Sequence, residues 1–266
     1  MSGAFSFGSY YPGQGPLYLL DPRTKLLAGF AFLGCALAAR SFAAVGALAA
    51  FVACLYAVSR IPAGRALRSL APLLVLVALV AVLNLFTGEG GRVLAQLGPL
   101  RITEGGVRSC LFMGARMTVM MCGMSLVTLT TMTLDLTHAV ERLLMPLARL
   151  GFPAHELGMI LGIALRFMPQ FAAELKTTYR AQASRGARAA SGPGGAVRML
   201  ASVSVPLFAS VFRHAETLAA AMDARCYHGE QGRTRLHELR FRACDAVAAA
   251  VMAALAACVA LVGTVL

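Results

Sequence analysis

Residues 246–266 run for 21 consecutive positions without a charged side chain. A helix needs roughly 20 apolar residues to cross a hydrocarbon core, so this one stretch already ties the chain to lipid. Residues 41–59, 69–88 and 117–134 are likewise uncharged. Backbone groups inside a bilayer have no water to bond, so each crossing segment must satisfy its own hydrogen bonds as a helix. Only 14% of residues are charged, against about a quarter in soluble domains. An apolar soluble bundle is therefore the weaker reading.

The net charge of +12 would suit nucleic acid if it formed a patch. The basic residues instead fall between the apolar runs, as expected of membrane topology signals, and no nucleic-acid partner is expected. The seven cysteines form no C-x-x-C pair, and Cys35, Cys54, Cys110, Cys122 and Cys258 sit in or beside apolar segments as small hydrophobes. No disulfide framework follows. The first 25 residues lack a basic stretch followed by an apolar run and a cleavage site, so no cleaved signal peptide is expected.

Five spans are predicted, at about 26–39, 41–59, 70–87, 110–133 and 244–265. The chain thus reads as an all-α polytopic membrane helix bundle in three parts. Residues 1–134 are an N-terminal membrane part with four spans, 135–242 a cytoplasmic domain of amphipathic helices, and 243–266 the final span. Arg40-Ser41 predicts a tight helical hairpin. Residues 1–20 read as a loose or interfacial arm. The Gly-rich 88–109 connection, with Val93, Leu97, Leu100 and Ile102, predicts a small hairpin or re-entrant loop. After Asp135, the 135–242 segment holds 14 Lys/Arg against seven Asp/Glu. Placing it and the basic 60–68 turn in the cytoplasm puts the N-terminus inside and the C-terminus outside, in the inner or plasma membrane.

Within 135–242, Leu136, Val140, Leu143, Leu144 and Leu147 recur at helical spacing, and Gly151-Phe152-Pro153 breaks the chain. Gly158-x-x-x-Gly162 would allow close helix approach. Pro169 and Pro206 are predicted to open helices, and Ser191-Gly192-Pro193-Gly194-Gly195 to form a linker.

No Gly-Lys pair occurs, so the chain has no phosphate-cradling loop of the G-x-x-x-x-G-K-[ST] type and is not expected to be an ATPase. The five histidines show no metal-ligand spacing, and no metal or cofactor is expected. No carboxylate falls mid-span, which argues against a self-contained proton- or ion-coupled transporter and against an intramembrane enzyme. Asn84 is the lone amide within a span, predicted to bond between helices. Two elements remain. Tyr179-Arg-Ala-Gln-Ala-Ser-Arg-Gly186 and Ala221-Met-Asp-Ala-Arg-Cys-Tyr-His-Gly229 each place an Arg near a helix C-terminus, where a cation complements the helix dipole. Such an Arg at an exposed helix end can also fork two hydrogen bonds to a partner.

At these residues the chain resembles the transmembrane T component of energy-coupling-factor (ECF) ABC importers, the family that includes the cobalt-transport Q protein. The likeness also runs through Leu20-Asp-Pro-Arg-Thr-Lys-Leu26, Leu134-Asp-Leu-Thr-His-Ala-Val-Glu-Arg-Leu-Leu144 and Leu165-Arg-Phe-Met-Pro169. Family members carry Ala-Arg-Gly-like motifs at the ends of two coupling helices. Ser184-Arg185-Gly186 and Ala224-Arg225-Cys226 match them, each departing from the strict form while keeping its Arg. The resemblance implies a non-catalytic subunit that joins two ABC ATPases, a homo- or heterodimer, to a small substrate-binding membrane S component. ATP would be used by those partners, and the cargo would be a vitamin or a metal such as cobalt or nickel. A permease subunit of another ABC transporter and a membrane-embedded enzyme are the alternative readings.

Overall fold

The computed structural model describes residues 13, 15–61, 63–87, 92–97, 100–146, 151–186, 193–229 and 243–265. Residues 1–12 and 14 of the arm predicted at 1–20, and the Ser191-Gly192 start of the linker, lie outside these residues. After a short 3-10 turn at Pro16–Leu19 come α1 (Pro22–Ala38), α2 (Phe42–Ser59) and α3 (Ala63–Thr87). A hairpin of β1 (Val93–Leu97) and β2 (Leu100–Thr103) leads into α4 (Glu104–Thr130) and α5 (Thr133–Leu144). The chain continues through α6 (Ala154–Ser184), α7 (Pro193–Ala224) and α8 (Ala243–Val265). It divides into two compact units, one built from α1–α4, the hairpin, α5 and α8, the other from α6 and α7.

In the first unit, α1 starts because Asp21 caps it, accepting from the Arg23 N–H at 2.9 Å, with Pro22 in the first turn. It ends at Ala39, and Ser41 opens α2 by accepting from the Ala44 N–H at 3.3 Å. This is the hairpin that Arg40-Ser41 predicts. Helices α2, α4 and α8 are each long and apolar enough to cross a membrane, and α3 carries a shorter apolar stretch at Leu74–Phe86. Helix α1 has 17 residues, so among the described residues three of the five expected spans meet that measure. Their shared core is Phe32, Ala36 and Ala39 of the α1 end, Ala44, Val45, Leu48 and Val52 of α2, Val119 of α4, and Leu255 and Val259 of α8. Small residues dominate where backbones approach. A Cβ on Gly123 would strike the Phe32 ring, and one on Gly29 would meet Val127 at 3.1 Å. Outward, Phe30, Val75, Leu79, Leu111, Val247 and Leu261 stay exposed, as a lipid-facing surface requires.

The 88–109 connection does form a hairpin, an antiparallel pair with Gln96 opposite Arg101 and Leu97 opposite Leu100. Thr103 closes it by capping α4, accepting from the Gly106 N–H at 3.0 Å.

Several local expectations change. Asn84 bonds within its own helix, Nδ2 donating to the Val80 carbonyl at 2.9 Å. Tyr56 of α2 makes a hydrogen bond between spans, its hydroxyl donating to the Cys122 carbonyl of α4 at 3.1 Å. Arg116 of α4 likewise donates to the Leu37 carbonyl at 2.6 Å in an exposed bond, satisfying a carbonyl orphaned at the C-terminal end of α1. Pro169 and Pro206 open no helix; they lie inside α6 and α7. Each proline removes one backbone bond, but two helices of 31 and 32 residues retain the turns on either side. Gly162 faces open space, and the close approaches fall instead at Gly106, against the Leu85 backbone, and at Gly123 and Gly29.

Candidate functional site: two arginine-bearing helix ends

Ser184 is the last residue of α6, Arg185 its cap, and Gly186 the first residue beyond, at φ +87°. That left-handed turn needs a residue without a Cβ penalty. Here the Gly186 N–H donates to the Ala183 carbonyl at 3.1 Å, and the Arg185 N–H is shared between the carbonyls of Ala181 and Gln182. Helix α7 ends in the same way. Ala224 is its last residue, Arg225 follows, and Cys226 turns left-handed at φ +53°. The Cys226 N–H donates to the Asp223 carbonyl at 2.9 Å and the Tyr227 N–H to the Met222 carbonyl at 3.1 Å. Those two bonds make a complete Schellman cap. The departure from Gly at Cys226 changes the residue but keeps the backbone shape.

Backbone amides therefore occupy the terminal carbonyls at both ends. All six residues, Ser184, Arg185, Gly186, Ala224, Arg225 and Cys226, are exposed. Neither guanidinium makes a hydrogen bond or ion pair with any described residue. A cation near a helix C-terminus still gains about 0.3–1 kcal/mol from the dipole, yet the cap does not need either side chain.

A left-handed non-glycine residue carries strain that glycine lacks. Cys226→Gly should accordingly stabilise the end of α7 by about 1 kcal/mol, seen as slower hydrogen exchange of the Cys226 and Tyr227 amides. Unchanged or faster exchange would count against the strain.

Helices α6 and α7 pair antiparallel. Met159, near the start of α6, meets Tyr227 just past the end of α7, the hydroxyl donating to the thioether at 2.8 Å. Further along, Glu174 accepts from the Ser210 hydroxyl, and Gln170 Nε2 lies 2.8 Å from His214 Nε2. Arg185 and Arg225 therefore occupy opposite ends of the pair, about 40 Å apart along it at roughly 1.5 Å per residue. The face of α7 away from Ser210 and His214 presents Val197, Leu200, Val205, Phe208 and Phe212, all more than 60% exposed.

A residue cluster that sequence reading left unassigned lies in the first unit. Asp21, Lys25, Thr130 and Asp245 are all buried. The Asp21 N–H donates to Asp245 Oδ1 at 2.9 Å, and Lys25 Nζ donates to the Thr130 carbonyl at 3.1 Å. Asp135 is a further electrostatic neighbour of Lys25. The Asp21-Pro-Arg-Thr-Lys25 segment thus ties the start of α1 to the end of α4 and the start of α8. Among the described residues, no three His, Cys, Asp or Glu side chains converge as a metal site.

The family described as CbiQ, cobalt transport protein, matches residues 13–236. That span includes the buried cluster except Asp245, and both arginine ends. The chain belongs to this family of ECF transporter T components. It is 41% identical over 244 residues to the energy-coupling factor transporter transmembrane protein EcfT of Thermosediminibacter oceani, covering 91% of this chain and 92% of that protein. The likeness to the EcfT of Acidaminococcus fermentans is 40% over 252 residues, 94% and 93% of the two chains. The EcfT of Bacillus subtilis is 34% identical over 240 residues, 90% and 91% of the two chains. This T component is accordingly a transmembrane part of a transporter.

Proposed function

We propose that this T component is the coupling scaffold of an ECF-type importer, linking two cytoplasmic ATPases to a small membrane S component that captures the cargo. The observation that carries this reading is the pair of exposed arginines, each followed by a left-handed residue, at opposite ends of one antiparallel helix pair. A guanidinium that its own helix does not need is free to fork two charge-assisted bonds to a partner carboxylate or carbonyl. Two such ends, well separated, suit two ATPase subunits rather than one. ATP binding and hydrolysis then belong to those partners, since the chain has no phosphate-cradling loop.

The exposed apolar face of α7 supports a second contact, because an apolar stripe of that size on a helix calls for a covering surface. The S component is our assignment for it, and that subunit sets the cargo, a vitamin or a transition-metal ion. The basic 135–242 segment supports a cytoplasmic side for α6 and α7 by the positive-inside bias, and with it an N-terminus inside and a C-terminus outside the cell membrane. Affinity purification of the tagged chain from its native membrane tests the assembly. Co-purification of ATP-hydrolysing subunits and one small apolar membrane protein is expected. Recovery of active transport from the chain and ATPases alone, with no third protein, would favour a permease of another ABC class.

A further inference from the structure

Helices α6 and α7 meet through a polar contact where an apolar one would be ordinary. Beyond Gly158 no residue of α6 is buried, and on α7 the last buried residue is Ser210, itself polar. The Ser210 hydroxyl donates to Glu174 Oε1. His214, one turn on, holds the Ser210 carbonyl through Nδ1 at 2.8 Å and Gln170 through Nε2 at 2.8 Å. With Gln170 donating through its amide nitrogen, Nε2 accepts and Nδ1 carries the proton. Phe167 and Phe171 set their rings edge-on to the imidazole, at centroid distances of 6.4 and 6.0 Å. Glu174 Oε2 is buried as well and meets no described donor, so the carboxylate is committed to Ser210.

The position of this contact matters as much as its chemistry. Glu174 precedes Arg185 by eleven residues, and His214 precedes Arg225 by eleven. Eleven residues are about three helical turns, so the contact sits midway between two arms of matching length, each ending in an arginine. Apolar side chains tolerate sliding because their attraction is non-directional. A hydrogen bond weakens steeply when its angle is lost, and so fixes register and crossing angle.

We propose that Glu174, Ser210 and His214 are positioning residues, a polar pin at the fulcrum of the α6–α7 pair that makes the two arms move as one lever. The inference rests on the coupling reading for the purpose of the lever, though not for the pin itself. Displacement of one arginine end by its ATPase is then delivered to the other end instead of being absorbed at the crossing.

Spin labels introduced as non-natural residues at Ala181 and Ala220, both exposed and outside the arginine motifs, report the angle between the arms. The pulsed-EPR distance distribution is recorded for the subunit in lipid nanodiscs, then for the complex with its ATPases before and after trapping with ATP and vanadate. The parent protein should give one narrow distribution in every state. Ser210→Ala and Glu174→Ala should each broaden it at least twofold, and the double variant should be no broader than either single. Ser210→Thr and Glu174→Gln, which keep a donor and an acceptor, should restore the narrow form. All variants should still retain the ATPases in pull-down, because both arginines are intact. Equal widths in the parent and both alanine variants, or additive broadening in the double, would overturn the pin. A parent protein that shows the narrow distribution but holds no ATPase would overturn the coupling reading and leave the pin standing.

Discussion

Arg185→Ala combined with Arg225→Ala should abolish transport and release both ATPases while leaving the subunit inserted. On the coupling reading each substitution removes a forked contact, at a cost on the order of 2–5 kcal/mol if the partner group is desolvated, and the two losses add. Helix capping alone would predict far less, about 0.3–1 kcal/mol at each end, with the complex intact. The backbone geometry separates the two cases, because the carbonyls of Ala183, Met222 and Asp223 are already held by amide donors. Pull-down of the ATPases alongside the membrane level of the double variant checks this. Well-inserted protein that still holds both ATPases and still supports uptake would remove the arginines from the coupling role. Each single variant should lose one ATPase contact and retain the other.

Lys25→Ala should have the second large effect, and on stability rather than on partners. Lys25 is only 8% exposed and bonds the Thr130 carbonyl, beside the buried carboxylates of Asp21 and Asp245. Removing the cation takes away one of two charges set against these carboxylates, Arg23 keeping its 3.9 Å pair with Asp21, at a cost on the order of 3 kcal/mol. Loss on that scale should lower the membrane level of the subunit and depress its melting temperature in detergent. Lys176→Ala, at an exposed site on α6, should change stability by no more than about 0.5 kcal/mol. Equal melting of the two variants would show that the cluster is not holding α1, α4 and α8 together.

The membrane helices were legible because a bilayer leaves a coarse signal: runs such as 41–59 and 246–266 need only be counted. The Arg40-Ser41 turn and the hairpin after α3 were legible for a similar reason, since caps and glycines mark chain reversals locally. Pro169 and Pro206 misled because a proline reports one lost backbone bond, while helix continuity depends on the turns around it. Asn84 misled because an amide in a span can bond its own i−4 carbonyl as readily as a neighbour.

Both arginine ends were visible as an Arg beside a chain-terminating residue, aided by resemblance to the family. Their common left-handed geometry was not, because Cys226 stands where glycine would announce it. The Glu174–Ser210 bond joins residues 36 positions apart, and no local period encodes such a pair. Its one sequence trace is the matching eleven-residue offset from Glu174 to Arg185 and from His214 to Arg225. The ties of Asp21 and Lys25 to Asp245 and Thr130 likewise span more than 100 positions. The motif containing them could be read as important but not as a clasp between helix ends.

The most direct test of the coupling assignment is photo-cross-linking from the arginine caps in the native membrane. A benzophenone side chain placed at Ser184, and in a second protein at Ala224, sits next to each arginine and is exposed. Irradiation should join each position to an ATPase subunit, with both products lost when Arg185 and Arg225 are replaced by Ala. Cross-links from both positions to lipid or to the S component, and to no ATPase, would contradict the assignment.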